Sequence, residues 1–209
     1  MIDLENWKCR ASQLGKIYSA AKGTGLSATA ITYLEEIYSE LKFGDREQIK
    51  SKYLDKGNFQ ESLALESVGN LLFGVELEKN DQFFENDFIC GTPDAITNIC
   101  IIDTKCSWSG KTFLKAITSP RNADYYLQLH GYMWLTDRKE AKLAYCLLDT
   151  PSFCNFGKEV IYESPISERI YIDSFAFDEF VIDKIIEKVK LCRAWLIEYD
   201  ALIESKLAK

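Results

Sequence analysis

One histidine, His130, stands in the 209 residues, so no chemistry that needs two imidazoles is open to this chain. Cysteine is present seven times, an odd number, at 9, 90, 100, 106, 146, 154 and 192. None of these forms the tight C-x-x-C pair that a structural zinc site requires. Scattered in this way, they read as reduced thiols of a cytosolic protein, several of them on buried strands. No apolar run approaches the length that crosses a bilayer. Met1 to Trp7 carries two acids and no apolar block, so it does not read as a secretory signal. Repeats, low-complexity tracts and Pro/Gly/Ser linkers are also missing. What remains is a length that fits one domain with a sizeable core.

The net charge is −7, which argues against a protein that coats nucleic acid through bulk electrostatics. Its distribution is more informative. No acid occurs from Asn6 to Leu34, where Lys8, Arg10, Lys16 and Lys22 lie, or from Lys105 to Asn122, where Lys105, Lys111, Lys115 and Arg121 lie. Local basic faces on an acidic body suit a protein that binds an anion at one place; the competing reading is ordinary solvated surface.

Along the chain, Ser27 has the chemistry of an N-cap, and the pattern predicts a helix over Ala28–Phe43 that stops at Gly44. A second amphipathic helix is expected over about Asn58–Phe73, from Phe59, Leu63, Leu65, Val68, Leu71 and Leu72. The texture then changes. Asp87–Gly91, Asp94–Thr97 and Ile99–Cys106 are short, rich in Ile and Cys and split by Pro93 and Asn98, which predicts a strand, a turn and a hairpin. A helix over Asn122–Thr136, strands over Lys142–Leu148 and Glu168–Ile172, and a long charged helix over Asp178–Lys206, with room for one break, complete the reading. The fold class expected is α/β: a mixed sheet of three to five strands flanked by helices, in a single domain 1–209. Its core spans about 50–150, with N-terminal helices over 7–44 and the C-terminal helix over about 178–206.

The chemistry concentrates in the hairpin. Pro93-Asp94 opens one strand, and after eight intervening residues the next carries Asp103-Thr104-Lys105. Strand alternation puts Asp103 and Lys105 on one face and Thr104 on the other. Two carboxylates brought together repel, and one takes up a proton unless a cation intervenes. Mg²⁺ or Mn²⁺ resolves that conflict, and the lysine beside it supplies charge stabilisation. The competing reading makes Asp94 a turn residue and Asp103–Lys105 an exposed ion pair. Upstream, Gly57 to Glu61 puts a carboxylate near a helix start, where the macrodipole would favour it in any case. Downstream, Gln128 and Tyr132 share a helix face at i and i+4.

These four features, in this order around a three-strand core, resemble the PD-(D/E)XK nuclease superfamily, and within it the RecB-like branch with its Q-x-x-x-Y motif. The likeness is greatest to the YqaJ-type viral recombinase nucleases and lambda-type phage exonucleases. Cys90-Gly91-Thr92-Pro93-Asp94-Ala95 is similar to that family's G-[ST]-P-D-G segment. Ile101-Ile102-Asp103-Thr104-Lys105-Cys106 is similar to its L-[EI]-[IV]-K-C strand, with Asp in place of Glu, and Gly57 to Glu61 matches its G-x-x-x-E segment. Trp7 to Ser12 is loosely similar to its early W-x-x-x-R and T-A-S elements. The resemblance runs over roughly residues 7 to 148 and leaves the C-terminal helix outside it.

That resemblance implies an exonuclease hydrolysing phosphodiesters at DNA duplex ends, in phage-type recombination or DNA processing, within the cytosol of a bacterial cell or phage-infected host. Glu61, Asp94, Asp103 and the backbone carbonyl of Thr104 would hold one or two Mg²⁺ ions, with Mn²⁺ as a substitute. Lys105 would position the attacking water. Gln128, Tyr132, Arg10 and Ser12 would meet DNA, although a bracing role for Gln128 and Tyr132 stands equally open. Trp108 and Lys111, an aromatic and a base just after the strand, suit nucleic-acid contact. No iron–sulfur cluster is expected, since the nucleases of this branch that hold one place three cysteines close together after the core, whereas Cys146, Cys154 and Cys192 lie far apart. The implied partners are DNA, a single-strand annealing protein and further copies of the chain in a homo-oligomer, with no membrane. Two alternatives remain: a restriction-type endonuclease on the same core, and a non-catalytic DNA-binding module with a relic site.

Overall fold

The computed structural model describes residues 2–19, 25–44 and 52–208; Lys22, one of the basic residues of the first acid-free stretch, lies outside them. The chain runs β1 (Cys9–Arg10), a 3₁₀ turn (Ala11–Gln13), α1 (Leu14–Tyr18), α2 (Ala28–Phe43) and α3 (Lys52–Phe73). Four strands follow, β2 (Phe84–Glu85), β3 (Ile89–Gly91), β4 (Ala95–Ile96) and β5 (Cys100–Cys106), then α4 (Gly110–Thr118) and α5 (Ala123–Thr136). β6 (Glu140–Cys146), β7 (Ile170–Ala176) and α6 (Glu179–Leu207) complete it.

The main sheet has the order β4-β5-β6-β7. β5 and β6 are parallel, joined by the crossover through α4 and α5, while β4 and β7 run antiparallel to their neighbours. Central β5 is apolar on both faces until Asp103, as expected of a strand covered on both sides. On one face, Cys100 and Ile102 join Ala144 and Cys146 under Ala64, Leu65 and Val68 of α3. On the other, Ile101 joins Ala141 and Leu143 under Leu129 and Met133 of α5, in the larger core that also takes in α1, α2 and α6. Asp103 and Lys105 fall on this second face, which places them beneath α5.

Helix α2 begins and ends where the sequence says. Ser27 caps it by accepting from the Ala30 amide, and Gly44 ends it at φ 70, a left-handed conformation that a Cβ would strain. Elsewhere the structure corrects the expectations. The Asp87–Gly91 strand shortens to β3 and leaves the hairpin; it forms a second, three-stranded sheet with β1, which is parallel to it, and β2. The N-terminal region therefore starts with a strand, not a helix. Helix α3 begins six residues earlier than expected, so Gly57 lies inside it and Glu61 sits in its third turn. Glycine in a helix interior costs only about 0.5–1 kcal/mol relative to Ala, which burial of the helix's apolar face outweighs. Helix α4 had not been anticipated, and α6 runs unbroken for 29 residues. Arg193 of α6 donates to the Trp7 carbonyl at 2.8 Å and to that of Asp87, tying this helix to both β1 and the turn before β3. His130, which reads as a helix-surface residue, is fully buried with its ring against Tyr126, because α5 is covered on every side over Leu127–Met133. All seven cysteines are free thiols. Among the described residues, no helix is long and apolar enough to cross a membrane.

Candidate active site

Strand β4 stops pairing with β5 at Ala95, opposite Ile102. From there the Asp94 side chain takes over from the ladder: its Oδ2 accepts from the Thr104 amide at 2.8 Å and from the Thr104 hydroxyl at 3.1 Å. N–H and C=O of one residue point to the same side of a strand, so the Thr104 carbonyl also opens toward Asp94. The Pro93-Asp94 turn is itself held from outside. The Asn80 amide donates to the Asp94 carbonyl at 2.7 Å, and the Asn80 side chain donates to the Pro93 carbonyl at 3.0 Å.

Asp103 is 1% exposed, and its two oxygens meet different partners. Oδ1 accepts from the Gln128 amide at 3.1 Å, and the same Gln128 nitrogen donates to the Tyr132 hydroxyl at 3.2 Å. Oδ2 faces the Lys105 ammonium in an ion pair. The Lys105 ammonium also lies 5.0 Å from the centre of the Tyr125 ring. Tyr132 fits beside the hairpin because residue 91 is glycine: a Cβ there would come within 2.8 Å of the Tyr132 ring.

The electrostatics follow from this geometry. Burial, then the nearby Asp103, pushes the Asp94 carboxyl up to about 6 against the opposing pull of Lys105 and the Thr104 bonds. For Lys105, burial favours the neutral form, but Asp103 and Asp94 outweigh it and hold the ammonium charged well above its ordinary range. Burial, then Asp103, raises the Tyr132 phenol to about 12, so it stays protonated.

The sequence-derived residues thus fall into three groups. Asp94, Asp103, Thr104, Lys105, Gln128 and Tyr132 form one connected cluster. Within it Gln128 and Tyr132 are buried: the Gln128 amide reaches both Asp103 and the Tyr132 hydroxyl, and the Tyr132 ring lies beside Gly91. Glu61 stands apart: its Oε2 accepts from the Lys79 ammonium at 2.9 Å. No three His, Cys, Asp or Glu side chains converge into a metal-sized group among the described residues. Lys79 nonetheless lies within electrostatic reach of Asp94 as well as Glu61, so Glu61 borders the cluster. Arg10, Ser12 and Lys111 are exposed, and Trp108 is half-buried. Arg10 pairs in register with Cys90, one residue before Gly91 on the strand that leads to Asp94.

Lys79, Asn80 and Lys56 were not singled out by sequence. The first two lie in a charged run without periodicity, and only Asn80, a turn-former, carried a local signal. Lys56 is 2% exposed and donates to the carbonyls of Ser107 and Trp108 at 3.0 and 2.9 Å, which fixes the turn that leaves β5.

No family model matches the chain, and no curated protein sequence does. Solved structures do. A phage-related exonuclease from Haemophilus somnus 129PT superposes with a TM-score of 0.83 at 29% identity, over 95% of this chain and 97% of that one. The chain has the fold of a phage-related exonuclease. An alkaline exonuclease from Laribacter hongkongensis shares that fold, with a TM-score of 0.72 at 16% identity over 96% of this chain and 93% of that one. Its complex with dAMP gives 0.70 at 18% identity over the same shares. At 95% coverage the likeness to the first takes in most of the 29-residue α6, so it extends beyond the segment 7 to 148 that the motifs mark out.

Proposed function

We propose that the chain is a metal-dependent deoxyribonuclease that works as an exonuclease on DNA ends, in phage-type recombination or DNA processing. The observation that carries this reading is the Asp94–Asp103–Lys105 cluster, where two carboxylates and a held ammonium meet at the open end of β5. The donor set suits a hard cation. It offers carboxylate oxygens and a backbone carbonyl with no sulfur or imidazole, and the buried Asp103 Oδ2 is engaged only by the Lys105 ammonium among the described residues. Asp94, Asp103 and the Thr104 carbonyl would hold Mg²⁺ or Mn²⁺, and Glu61 would add a ligand on parting from Lys79. Bound there, the ion supplies Lewis acidity and a water made nucleophilic at neutral pH.

The remaining chemistry belongs to the chain. Lys105, paired with Asp103, neutralises charge developing on phosphoryl oxygens and orients the water that attacks in line. Gln128 and Tyr132 keep Asp103 in one orientation. The similarity to exonucleases at 29% identity favours the exonuclease over the restriction-type reading. The intact cluster disfavours the relic. Linear and circular duplex DNA incubated with and without Mg²⁺ and resolved on a gel tests the proposal. Shortening of linear DNA with circles spared supports it; nicked and linearised circles would replace exonuclease by endonuclease, and uncut DNA would leave only binding.

A further inference from the structure

Beside Lys105 the catalytic face continues as a row of tyrosines that the hairpin chemistry does not use. Tyr125 of α5, Tyr145 of β6 and Tyr171 of β7 follow one another with ring centres 6.4 and 6.5 Å apart. The first two are half-buried and Tyr171 is 43% exposed, so the row climbs from the active site to the edge of the sheet. Strand register explains it: Lys105, Tyr145 and Tyr171 are opposite one another on β5, β6 and β7, two places beyond Asp103. Over the first two rings of this row, between α4 and the start of α5, lies a cavity of about 290 Å³ lined by Thr112, Lys115, Ser119, Asn122, Tyr125 and Tyr145; Tyr171 stands beyond it. That volume is near the lower end for pockets that hold a small-molecule-sized group.

Two features say what fits here. Lys115 is exposed and forms no ion pair with any described residue, in a stretch with no acid between Asp103 and Asp124. The hydroxyls of Tyr125 and Tyr145 likewise make no hydrogen bond to described residues. Arg121, by contrast, is engaged by Asp173 at 2.7 and 2.9 Å. Flat aromatic faces in series, with a free cation above them, match a polyanion whose flat rings repeat along it. They do not match a purely apolar ligand, which leaves the ammonium unused.

We infer that this cleft, extended past its mouth by the Tyr171 ring, is a binding track for a single-stranded segment of nucleic acid, with bases stacked on Tyr145 and Tyr171 and a phosphate on Lys115, continuous with the scissile position at Lys105. The assignment rests on the nuclease reading and adds to it the path by which one strand reaches the cluster. Stacking is tolerant of base identity, so the track takes any sequence.

Binding of a fluorescein-labelled 12-mer oligodeoxynucleotide, followed by anisotropy in excess chelator, tests the track without catalysis. Loss of a stacking ring is worth about tenfold or more in Kd, so Tyr145→Leu and Tyr171→Ala are each expected to bind about tenfold more weakly. Tyr145→Phe keeps the ring and is expected to bind like the unaltered protein. Lys115→Ala is expected to weaken binding and to lower the salt dependence by about one ion. Tyr171 is exposed, so its replacement leaves the fold intact even if Tyr145→Leu does not. Unchanged binding by Tyr171→Ala and Lys115→Ala, or no binding by the unaltered protein, overturns the track. A protein that binds through these residues yet cuts no DNA with Mg²⁺ overturns the nuclease reading and leaves the track standing. One that cuts DNA while the variants bind normally overturns the track alone.

Discussion

Replacing Gln128 by Leu keeps the bulk of the side chain and removes the one donor among the described residues that reaches Asp103 Oδ1. Gln128 is 9% exposed and Asp103 1%, so water does not readily take over the lost bond. A hydrogen bond to a charged group in this setting is worth about 1.5–3 kcal/mol. In a domain of this size that lowers the melting temperature by roughly 3–12 °C, at about 2–4 °C per kcal/mol. The same loss lets the Asp103 carboxylate swing about its χ2, and loss of such an outer brace typically lowers metal affinity about 10–100-fold. Tyr132→Phe should be milder, since the Gln128 amide keeps its bond to Asp103. Thermal unfolding in chelator, with calorimetric titration of Mn²⁺ into each variant, reads both effects. If Gln128→Leu melts and binds Mn²⁺ like the unaltered protein while KM for DNA rises, Gln128 contacts the substrate and the bracing argument is wrong.

Asp103→Ala and Lys105→Ala are each expected to abolish cleavage, the latter through loss of charge stabilisation worth about 2.7–4 kcal/mol of barrier; near-normal turnover in either would make the cluster incidental. Cation binding should weaken in acid. The Asp94 carboxyl is raised from 3.8 to about 6, so the folded protein holds its proton more tightly than the unfolded chain does. The cation-free protein therefore loses stability as pH rises from about 4 through about 6, and Mn²⁺ affinity falls up to tenfold per unit below about pH 6; an affinity flat across that window would contradict the shift. Lys56→Met preserves the buried stem but removes the donor to the Ser107 and Trp108 carbonyls. Urea unfolding should show a loss of about 1–3 kcal/mol, and no loss would mean that the turn is held without the lysine.

The parts of the molecule legible in the sequence are those with local signals. Helix α2 has a serine cap and a terminal glycine, and β5 has an unbroken apolar run ending in Asp-Thr-Lys. The hairpin places Asp94 against that strand because only the eight residues between them decide the turn. Of the second sheet only β3 is legible, within Asp87–Gly91; β1 and β2 are two residues long, and Cys9–Arg10 pairs with Ile89–Cys90, some eighty residues away, leaving no periodicity to read. Gln128 and Tyr132 were visible as an i, i+4 pair, but which way they faced depended on how α5 lies over the sheet. His130 was misplaced for the same reason: a helix covered on every side hides its polar residues too. Glu61 shows a further limit. Its position on α3 was readable, yet its present partner, Lys79, comes from an irregular segment after that helix and was not.

The most direct measurement is degradation of a linear duplex labelled at one end, by the unaltered protein, with Mg²⁺ and again with excess chelator, beside a covalently closed circle. The account predicts progressive loss of linear DNA with Mg²⁺, none with chelator, and an intact circle. Cleavage that persists in chelator would contradict the metal centre at Asp94 and Asp103, and cleavage of the circle would contradict action at ends.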